Sequence, residues 1–285
     1  MQTAIRVAMF VVFYVASAQL AGWILGGLDN PLLVGTGIMM LTGFTANALC
    51  LRIFEGRGLA DCGLWINSSA GRNLLLGLAG GAGTAVVVLV PPVLTGMAHF
   101  DRRGGDPISA SSVVFLVFML AAGSIGEELI FRGYGLQTMI AAIGPWATIL
   151  PLGVLFGALH YGNPGAGILS SAITAGFGIL FGYAYLRSRD LWLPIGLHFG
   201  WNFTLPLFGV NMSGLKIRVT GWELSWSAGR LWSGGEYGPE ASVLTVGALA
   251  LLLLYIRRIP VRRQISPLID PPEGAVCETS QPLPS

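Results

Sequence analysis

Long runs without Asp, Glu, Lys or Arg alternate with short charged segments along this chain. Most of the runs approach the roughly 20 residues that a helix needs to cross the hydrocarbon core of a bilayer. The predicted spans cover residues 7–28, 31–51, 73–97, 107–126, 145–161, 165–186, 191–210 and 242–256. Inside a membrane each backbone polar group is satisfied within its own segment, so these spans should be helices. The pattern therefore predicts an all-α fold, a polytopic membrane helix bundle with about eight transmembrane helices.

The segments outside the spans complete the predicted organisation. Residues 134–144 form a short apolar piece expected at the interface, and residues 211–240 form a long loop. The loop contains four aromatic residues typical of a membrane interface, which are Trp222, Trp226, Trp232 and Tyr237. We expect one transmembrane helical domain over residues 1–263. Residues 264–285 are rich in proline and polar residues, which predicts a disordered cytoplasmic tail.

The composition narrows the class of protein. Of the 285 residues, 53% are apolar and 11% are charged, whereas ordinary globular chains contain about 25% charged residues. This balance excludes a cytosolic domain, a disordered chain and a nucleic-acid binder. The three cysteines show neither a CxxC pair nor a regular spacing, so they indicate no disulfide framework and no thiolate metal site.

The basic residues give an orientation for eight spans. Ten fall on one side of the membrane, namely Arg6, Arg52, Arg57, Arg72, Arg187, Arg189, Arg257, Arg258, Arg262 and Arg263. Five fall on the other side, namely Arg102, Arg103, Lys216, Arg218 and Arg230. Because basic residues are enriched in cytoplasmic loops, both termini are predicted to be cytoplasmic. We expect an integral protein of a prokaryotic plasma membrane.

A few ionisable and polar side chains lie in the predicted spans or at their ends. Inserting a charged side chain costs about 2.5–3.5 kcal/mol when it lies at the centre of a membrane helix. These side chains are Glu127, Glu128 and Arg132 after the fourth span, His160 in the fifth, and His198 and Asn202 in the seventh. The third histidine, His99, is expected in a solvated loop.

Spacing brings these side chains together. Glu128 and Arg132 are four residues apart, as are His198 and Asn202, so each pair shares a helix face. A carboxylate, two imidazoles and an amide can activate a water molecule and stabilise an oxyanion.

Structural explanations stand beside this functional one. Glu128 and Arg132 can form an ion pair that neutralises buried charge. A histidine in a membrane helix can be an interhelical hydrogen-bonding residue, and Asn202 can be a packing residue. A bundle with two axial haem ligands, His160 and His198, is a further alternative. Ser124 lacks the Gly-x-Ser-x-Gly elbow of a serine hydrolase.

Three short motifs occur in order along the chain. They read Glu-Glu-Leu-Ile-Phe-Arg-Gly at 127–133, Phe-Gly-Ala-Leu-His at 156–160 and His-Phe-Gly-Trp-Asn at 198–202. Together they resemble the EExxxR, FxxxH and HxxxN motifs of the CAAX-protease and bacteriocin-processing (CPBP or Abi) family of intramembrane proteases. The resemblance covers roughly residues 108–210.

The resemblance implies an intramembrane peptidase whose site lies inside the bilayer and opens to the cytoplasmic side. By position in the motifs, Glu127 would be the general base that activates water, and His160 would position that water. His198 and Asn202 would form the oxyanion hole, with Glu128 and Arg132 as supporting residues.

The resemblance also bears on partners and cofactors. The implied substrate is a peptide or protein, which is lipidated in the eukaryotic members, and the surroundings are membrane lipids. The family is often described as metalloproteases, and Glu127, His160 and His198 could ligate zinc, because three protein ligands and a water make a catalytic zinc site. The chain has no HExxH motif, so we favour a metal-free glutamate mechanism. A bacteriocin-immunity or transport protein of the same fold, without enzymatic activity, is the alternative function.

Overall fold

The computed structural model of the chain describes residues 1–102, 104, 109–217 and 219–270. Ten α-helices occur in these ranges: α1 (Gln2–Leu25), α2 (Pro31–Cys50), α3 (Ser68–Leu94), α4 (Ala110–Arg132), α5 (Tyr134–Ile143), α6 (Pro145–Leu159), α7 (Ile168–Ser188), α8 (Trp192–Leu207), α9 (Arg230–Ser233) and α10 (Val243–Arg258). A π-helical segment, Leu51–Glu55, extends α2. The predicted all-α fold class is confirmed. Arg103, Arg218, the start of the fourth predicted span and the tail from residue 271 lie outside the described residues.

Each predicted span corresponds to one helix, and the chain is an integral membrane protein. Five helical stretches among the described residues are long and apolar enough to cross a membrane, namely Gln2–Leu25, Pro31–Glu55, Ser68–Leu94, Ala110–Ile143 and Ile168–Ser188. That the chain crosses the membrane eight times remains a prediction. Helix α5 is buried between neighbouring helices: Gln137 is fully buried and donates a 2.7 Å hydrogen bond to the backbone oxygen of Cys62.

Helix α8 is held against α3 by glycines on both helices. A Cβ atom at Gly196 would lie 2.5 Å from the backbone oxygen of Leu74, and one at Gly200 would lie 2.6 Å from that of Leu78. Residues 198 and 202 follow these glycines by two positions, which is roughly 200° around a helix with 3.6 residues per turn. Close packing on α3 therefore turns His198 and Asn202 toward the opposite side of α8.

A buried amide joins the end of α4 to α2. The Asn47 side chain donates to the backbone oxygens of Gly43 (2.7 Å) and Leu129 (2.9 Å), and it accepts from the backbone N–H of Tyr134 (2.6 Å). The last of these bonds satisfies the N–H of Tyr134, which the break between α4 and α5 leaves without a helical partner. The three hydrogen bonds together fix the turn of α4 that contains Glu127 and Glu128.

The loops on one end of the bundle form a small sheet that the sequence analysis did not predict. Strand β1 (Ala98–Arg102) pairs antiparallel with β2 (Trp222–Trp226), and His99 lies opposite Ser225. The prediction that His99 lies in a loop is therefore wrong, because its strand partner is more than a hundred residues away, but the side chain is exposed to solvent as expected. Tyr237, expected at the interface, is fully buried.

The first residues of the predicted tail lie against the helix ends. Asp190, in the turn between α7 and α8, accepts hydrogen bonds from the side chains of Asn73 (2.7 Å) and Gln264 (2.8 Å) and from the backbone N–H of Leu193 (3.2 Å). Burial nevertheless raises the pKa of Asp190 above its usual value. Ser266 is also buried and donates to Gln137 at 3.2 Å. The segment 264–270 thus closes this end of the bundle.

Candidate active site

One cavity between the helices is lined by the four polar residues that the sequence analysis placed in a site. Glu127 comes from α4, His160 follows α6, and His198 and Asn202 come from α8; the cavity has a volume of about 360 Å³. Residues of α1, α2, α7 and the loop between α8 and α10 also line it. Side chains that are far apart in sequence therefore meet at one cavity.

Glu128 is the centre of a buried ionic network behind this cavity. Its Oε1 accepts a 3.1 Å hydrogen bond from Arg132 Nη1 and lies 2.9 Å from His198 Nδ1. Glu128 and Arg132 are 0% and 2% exposed. Since a carboxylate only accepts, Nδ1 of His198 carries a proton. Glu128 therefore orients the imidazole so that its Nε2 faces Glu127, whose Oε2 is 3.8 Å away.

Three aromatic rings enclose the Arg132 guanidinium. Its central carbon lies 4.9 Å from the ring centre of Phe156 and 5.5 Å from those of Phe131 and Phe181. Its Nη2 donates to the backbone oxygen of Gly178 at 2.8 Å. Cation–π contacts strengthen when the cation is desolvated, so this cage stabilises a buried charge that Glu128 alone would only partly offset.

His160 is oriented by its own helix. Its Nδ1 lies 2.7 Å from the backbone oxygen of Phe156, and its ring lies 4.6 Å from the Phe156 ring. A carbonyl oxygen only accepts, so Nδ1 carries a proton and, in the neutral ring, Nε2 keeps its lone pair. Close packing of α6 on α7 at Gly157, where a Cβ atom would overlap the backbone oxygen of Ser171, holds this end of α6 in place.

Glu127 differs from Glu128 in lining the cavity. Among the described residues, the buried Oε2 atom of each of the two glutamates has no hydrogen-bond partner. A buried carboxylate oxygen without a partner is costly unless solvent or a ligand reaches it. Since Glu127 lines the cavity and its side chain is 16% exposed, against 0% for Glu128, its carboxylate is the one that a water molecule in the cavity can reach.

A second acidic residue, Glu240, reaches the same cavity and was missed by the sequence analysis. Its Oε1 accepts from Trp201 Nε1 at 3.0 Å, and its carboxylate accepts from the backbone N–H and the hydroxyl of Ser213. Burial raises the pKa of Glu240, and these hydrogen bonds oppose the shift. No local signal marks this residue, because its partners are 27 and 39 residues away.

The residues that could ligate zinc are not grouped for it. Among the described side chains, no set of three or more His, Cys, Asp or Glu residues is arranged to hold a metal ion. Glu127, His160 and His198 do not form such a set in this arrangement, and the reaction proposed for the chain uses no metal.

The fold and site together define a membrane helix bundle with a buried Glu-Arg-His network beside a polar cavity. A comparison with protein families finds that residues 108–204 match the family described as Rce1-like, type II CAAX prenyl endopeptidase. The match covers about a third of the chain and contains α4 to most of α8, and it confirms the resemblance drawn from the three motifs. A comparison with curated proteins found no match. The family similarity supports a peptidase.

Proposed function

We propose that this chain is an intramembrane endopeptidase of the CAAX-protease type in which Glu127 activates the hydrolytic water. The observation that carries the proposal is that Glu127 lines the same cavity as His160, His198 and Asn202, whereas its neighbour Glu128 does not. A general base needs to lie within hydrogen-bonding reach of the proton that it takes. A water molecule held by the Glu127 carboxylate in this cavity would meet that requirement.

The proposed reaction proceeds through a tetrahedral intermediate. The water oxygen bonds to the scissile carbonyl carbon while Glu127 takes one water proton, and the carbonyl oxygen becomes an oxyanion. When the intermediate collapses, the C–N bond breaks and Glu127 returns its proton to the leaving nitrogen. His160 accepts a hydrogen bond from the attacking water through Nε2 and so helps to aim its lone pair.

Asn202 and His198 would stabilise the oxyanion. The Asn202 carboxamide donates as a neutral group, whereas His198 can donate from Nε2 only as an imidazolium, since Nδ1 already carries a proton. The side-chain charges of Glu127, Glu128 and Arg132 add up to one negative charge. A protonated His198 balances that charge, so the group of four side chains is neutral. Donors fixed before the reaction are typically the largest source of transition-state stabilisation in acyl transfer.

A comparison of cleavage products tests the proposal. Purified protein in detergent is incubated with a library of apolar peptides, and the products are identified by mass spectrometry. The wild-type protein should generate products that Glu127→Gln does not, with unchanged thermal unfolding of the variant. Glu236→Gln is the matched control, because Glu236 is an exposed glutamate of the loop, and it should cleave like the wild type. Equal products from Glu127→Gln would remove the proposed base.

The side of the membrane at which cleavage occurs needs its own test. The arginine count places the loop 211–240 outside, while the family resemblance implies a cytoplasmic opening. Ser213 and Glu240 of this loop line the cavity, so the two expectations point to opposite sides. We propose that the cavity opens at the loop end of the bundle.

Lys216 allows the side to be measured, because it is the only lysine in the sequence. An amine reagent that does not cross membranes is added to intact cells, and labelled peptides are identified by mass spectrometry. Labelling of Lys216 in intact cells places the loop and the cavity mouth outside. Labelling only after the membrane is opened places both in the cytoplasm, as the family resemblance implies.

A further inference from the structure

Four polar residues that line the cavity have no part in the proposed reaction. Asn163 follows α6, Thr174 belongs to α7, and Ser213 and Glu240 belong to the loop between α8 and α10. We call these four residues the polar wall of the cavity. Because they come from three separate segments of the chain, the fold brings a second polar cluster into the cavity that contains Glu127.

Glu240 is a buried carboxylate whose hydrogen-bond donors are neutral groups. It is 6% exposed, and it accepts from the indole N–H of Trp201 and from the backbone N–H and hydroxyl of Ser213. A carboxylate can accept about four hydrogen bonds, and these three donors are the ones that the described residues supply. Glu240 therefore has room for a further donor, and a positively charged donor would also balance its buried charge.

A buried hydroxyl without a partner lies beside the polar wall. Tyr237 is fully buried, and its hydroxyl has no hydrogen-bond partner among the described residues. Burial raises the pKa of Tyr237, and the nearby Glu240 carboxylate raises it further. Thr174, Ser213 and Asn163 lie close enough to lower that pKa. The hydroxyl is thus surrounded by the polar wall, and a group bound in the cavity can supply the hydrogen bond that it lacks.

Backbone contacts hold Tyr237 in this position. Its carbonyl oxygen accepts a 2.8 Å hydrogen bond from the backbone N–H of Gly214. On the other side, a Cβ atom at Gly165 would lie only 2.9 Å from the backbone nitrogen of Tyr237. Tyr237 is therefore fixed between the segments that contain Ser213 and Asn163, so the polar cluster is assembled before a ligand binds.

The charges around the cavity favour a cation. Among the described residues, no lysine or arginine lines this cavity, and the buried ion pair behind it is neutral. Glu127, Glu240, His160 and His198 all line the cavity. With His198 protonated and His160 neutral, one negative charge remains, and a neutral His198 would leave two. A positively charged group is therefore favoured in the cavity, and a carboxylate is disfavoured.

We propose that the polar wall binds a primary ammonium group, which is either a lysine side chain or the free amino terminus of a peptide. An ammonium has three donors and no acceptor, which suits the Glu240 carboxylate, the Tyr237 hydroxyl and a side-chain oxygen of the wall. Glu240 is then a specificity-determining residue. Because the ammonium belongs to a peptide, this assignment rests on the proposed peptidase function.

Binding measures the preference for an ammonium without requiring turnover. Asn202→Ala serves as the parent protein, because it keeps the charges of the cavity and slows the proposed reaction. Acetylated apolar hexapeptides with a C-terminal fluorophore carry one lysine at each position in turn, and norleucine replaces that lysine in the matched peptides. A norleucine peptide with a free amino terminus forms the third arm.

At one position or more, the parent protein should bind the lysine peptide at least about tenfold more tightly than the norleucine peptide, as expected for a hydrogen-bonded buried charge. The same preference for the free amino terminus alone would identify the terminus as the source of the ammonium. If neither lysine nor a free terminus tightens binding, the ammonium site is overturned.

Further substitutions in the parent protein locate the preference. Glu240→Gln should remove most of it, whereas Glu236→Gln, at an exposed glutamate of the same loop, should keep it. Tyr237→Phe should weaken the preference without lowering the unfolding temperature, because the hydroxyl has no partner to lose. An unchanged preference in a folded Glu240→Gln overturns the site. If Glu240→Gln does not fold, an unchanged preference in Tyr237→Phe overturns it.

The two proposals fail in different ways. If the wild-type protein cleaves no peptide while the preference for an ammonium depends on Glu240, the peptidase function is wrong and the binding site stands. If the wild-type protein cleaves peptides but shows no preference for an ammonium, the ammonium site is wrong and the peptidase function stands.

Discussion

Nδ1 of His198 lies 2.9 Å from Oε1 of Glu128, the same oxygen that accepts a hydrogen bond from Arg132. One carboxylate oxygen thus links the last turn of α4 to the middle of α8. Because all three side chains are buried, the network sets both the charge and the orientation of the imidazole that faces Glu127. Two adjacent glutamates consequently have different surroundings, because Glu128 is buried in an ion-paired network while Glu127 lines the cavity.

Loss of the Glu128 charge should destabilise the protein and reduce activity. Glu128→Gln leaves Arg132 buried without its anion, and breaking a buried pair costs about 3–5 kcal/mol. The double variant Glu128→Gln/Arg132→Met should be less destabilised than Glu128→Gln alone, because no charge remains unpaired. Unfolding in detergent of the wild type, Glu128→Gln, Arg132→Met and the double variant measures the coupling free energy between the two side chains. Additive effects would show that the two side chains do not interact energetically.

Asn202→Ala should lower kcat by a factor of about 10²–10³ if the carboxamide donates to the oxyanion. KM should change little, because the interaction forms mainly in the transition state. Steady-state kinetics on a peptide that the wild-type protein cleaves measure both constants. A kcat within twofold of the wild-type value would assign Asn202 to helix packing instead.

The position of His198 and Asn202 depends on the contact between α3 and α8. A Cβ atom at Gly81 would overlap the backbone oxygen of Leu197, whereas one at Gly83, two residues along the same helix, meets nothing within 4 Å. Gly81→Ala should therefore destabilise the protein by about 1–3 kcal/mol. Gly83→Ala should be neutral or stabilising by up to about 1 kcal/mol. Equal unfolding midpoints for the two variants would contradict the close packing.

Asp190 should make stability depend on pH. Burial raises its pKa in the folded protein above the usual value of 3.8. The folded state therefore holds the proton more tightly than the unfolded state, and this contribution is fully present below pH 3.8 and is lost as the pH rises through the folded-state pKa.

Asp190→Asn removes this titration, and its amide also loses an acceptor for Asn73 and Gln264. The free energies of unfolding of wild type and variant should therefore differ by two contributions. The lost hydrogen bonds give a difference that is the same at every pH, and the titration of Asp190 adds a stabilisation of the wild type at low pH that disappears as the pH rises. Unfolding midpoints of both proteins measured across acidic pH values test this. Parallel curves for the two proteins would contradict a raised pKa at Asp190.

The sequence predicts those parts of the fold that depend on local pattern. Charge-free runs locate helices, because a membrane span is defined by its own residues, and the turns of α4 and α8 that contain Glu128 and His198 follow from spacing along one helix. The contacts of Glu240 with Trp201 and Ser213, the cage of Phe156 and Phe181 around Arg132, and the pairing of β1 with β2 all join distant segments. No periodicity in a single sequence records such contacts.

We propose that Glu127 acts as the general base in the cavity between the helices, and the kcat of Glu127→Gln on an identified peptide substrate tests this role most directly. The carboxamide keeps the size of the side chain but cannot take a proton from water. We expect kcat to fall by a factor of about 10²–10⁴, the usual contribution of a general base, while the variant unfolds at the same temperature as the wild type. A kcat within twofold of the wild-type value in a folded variant would contradict it.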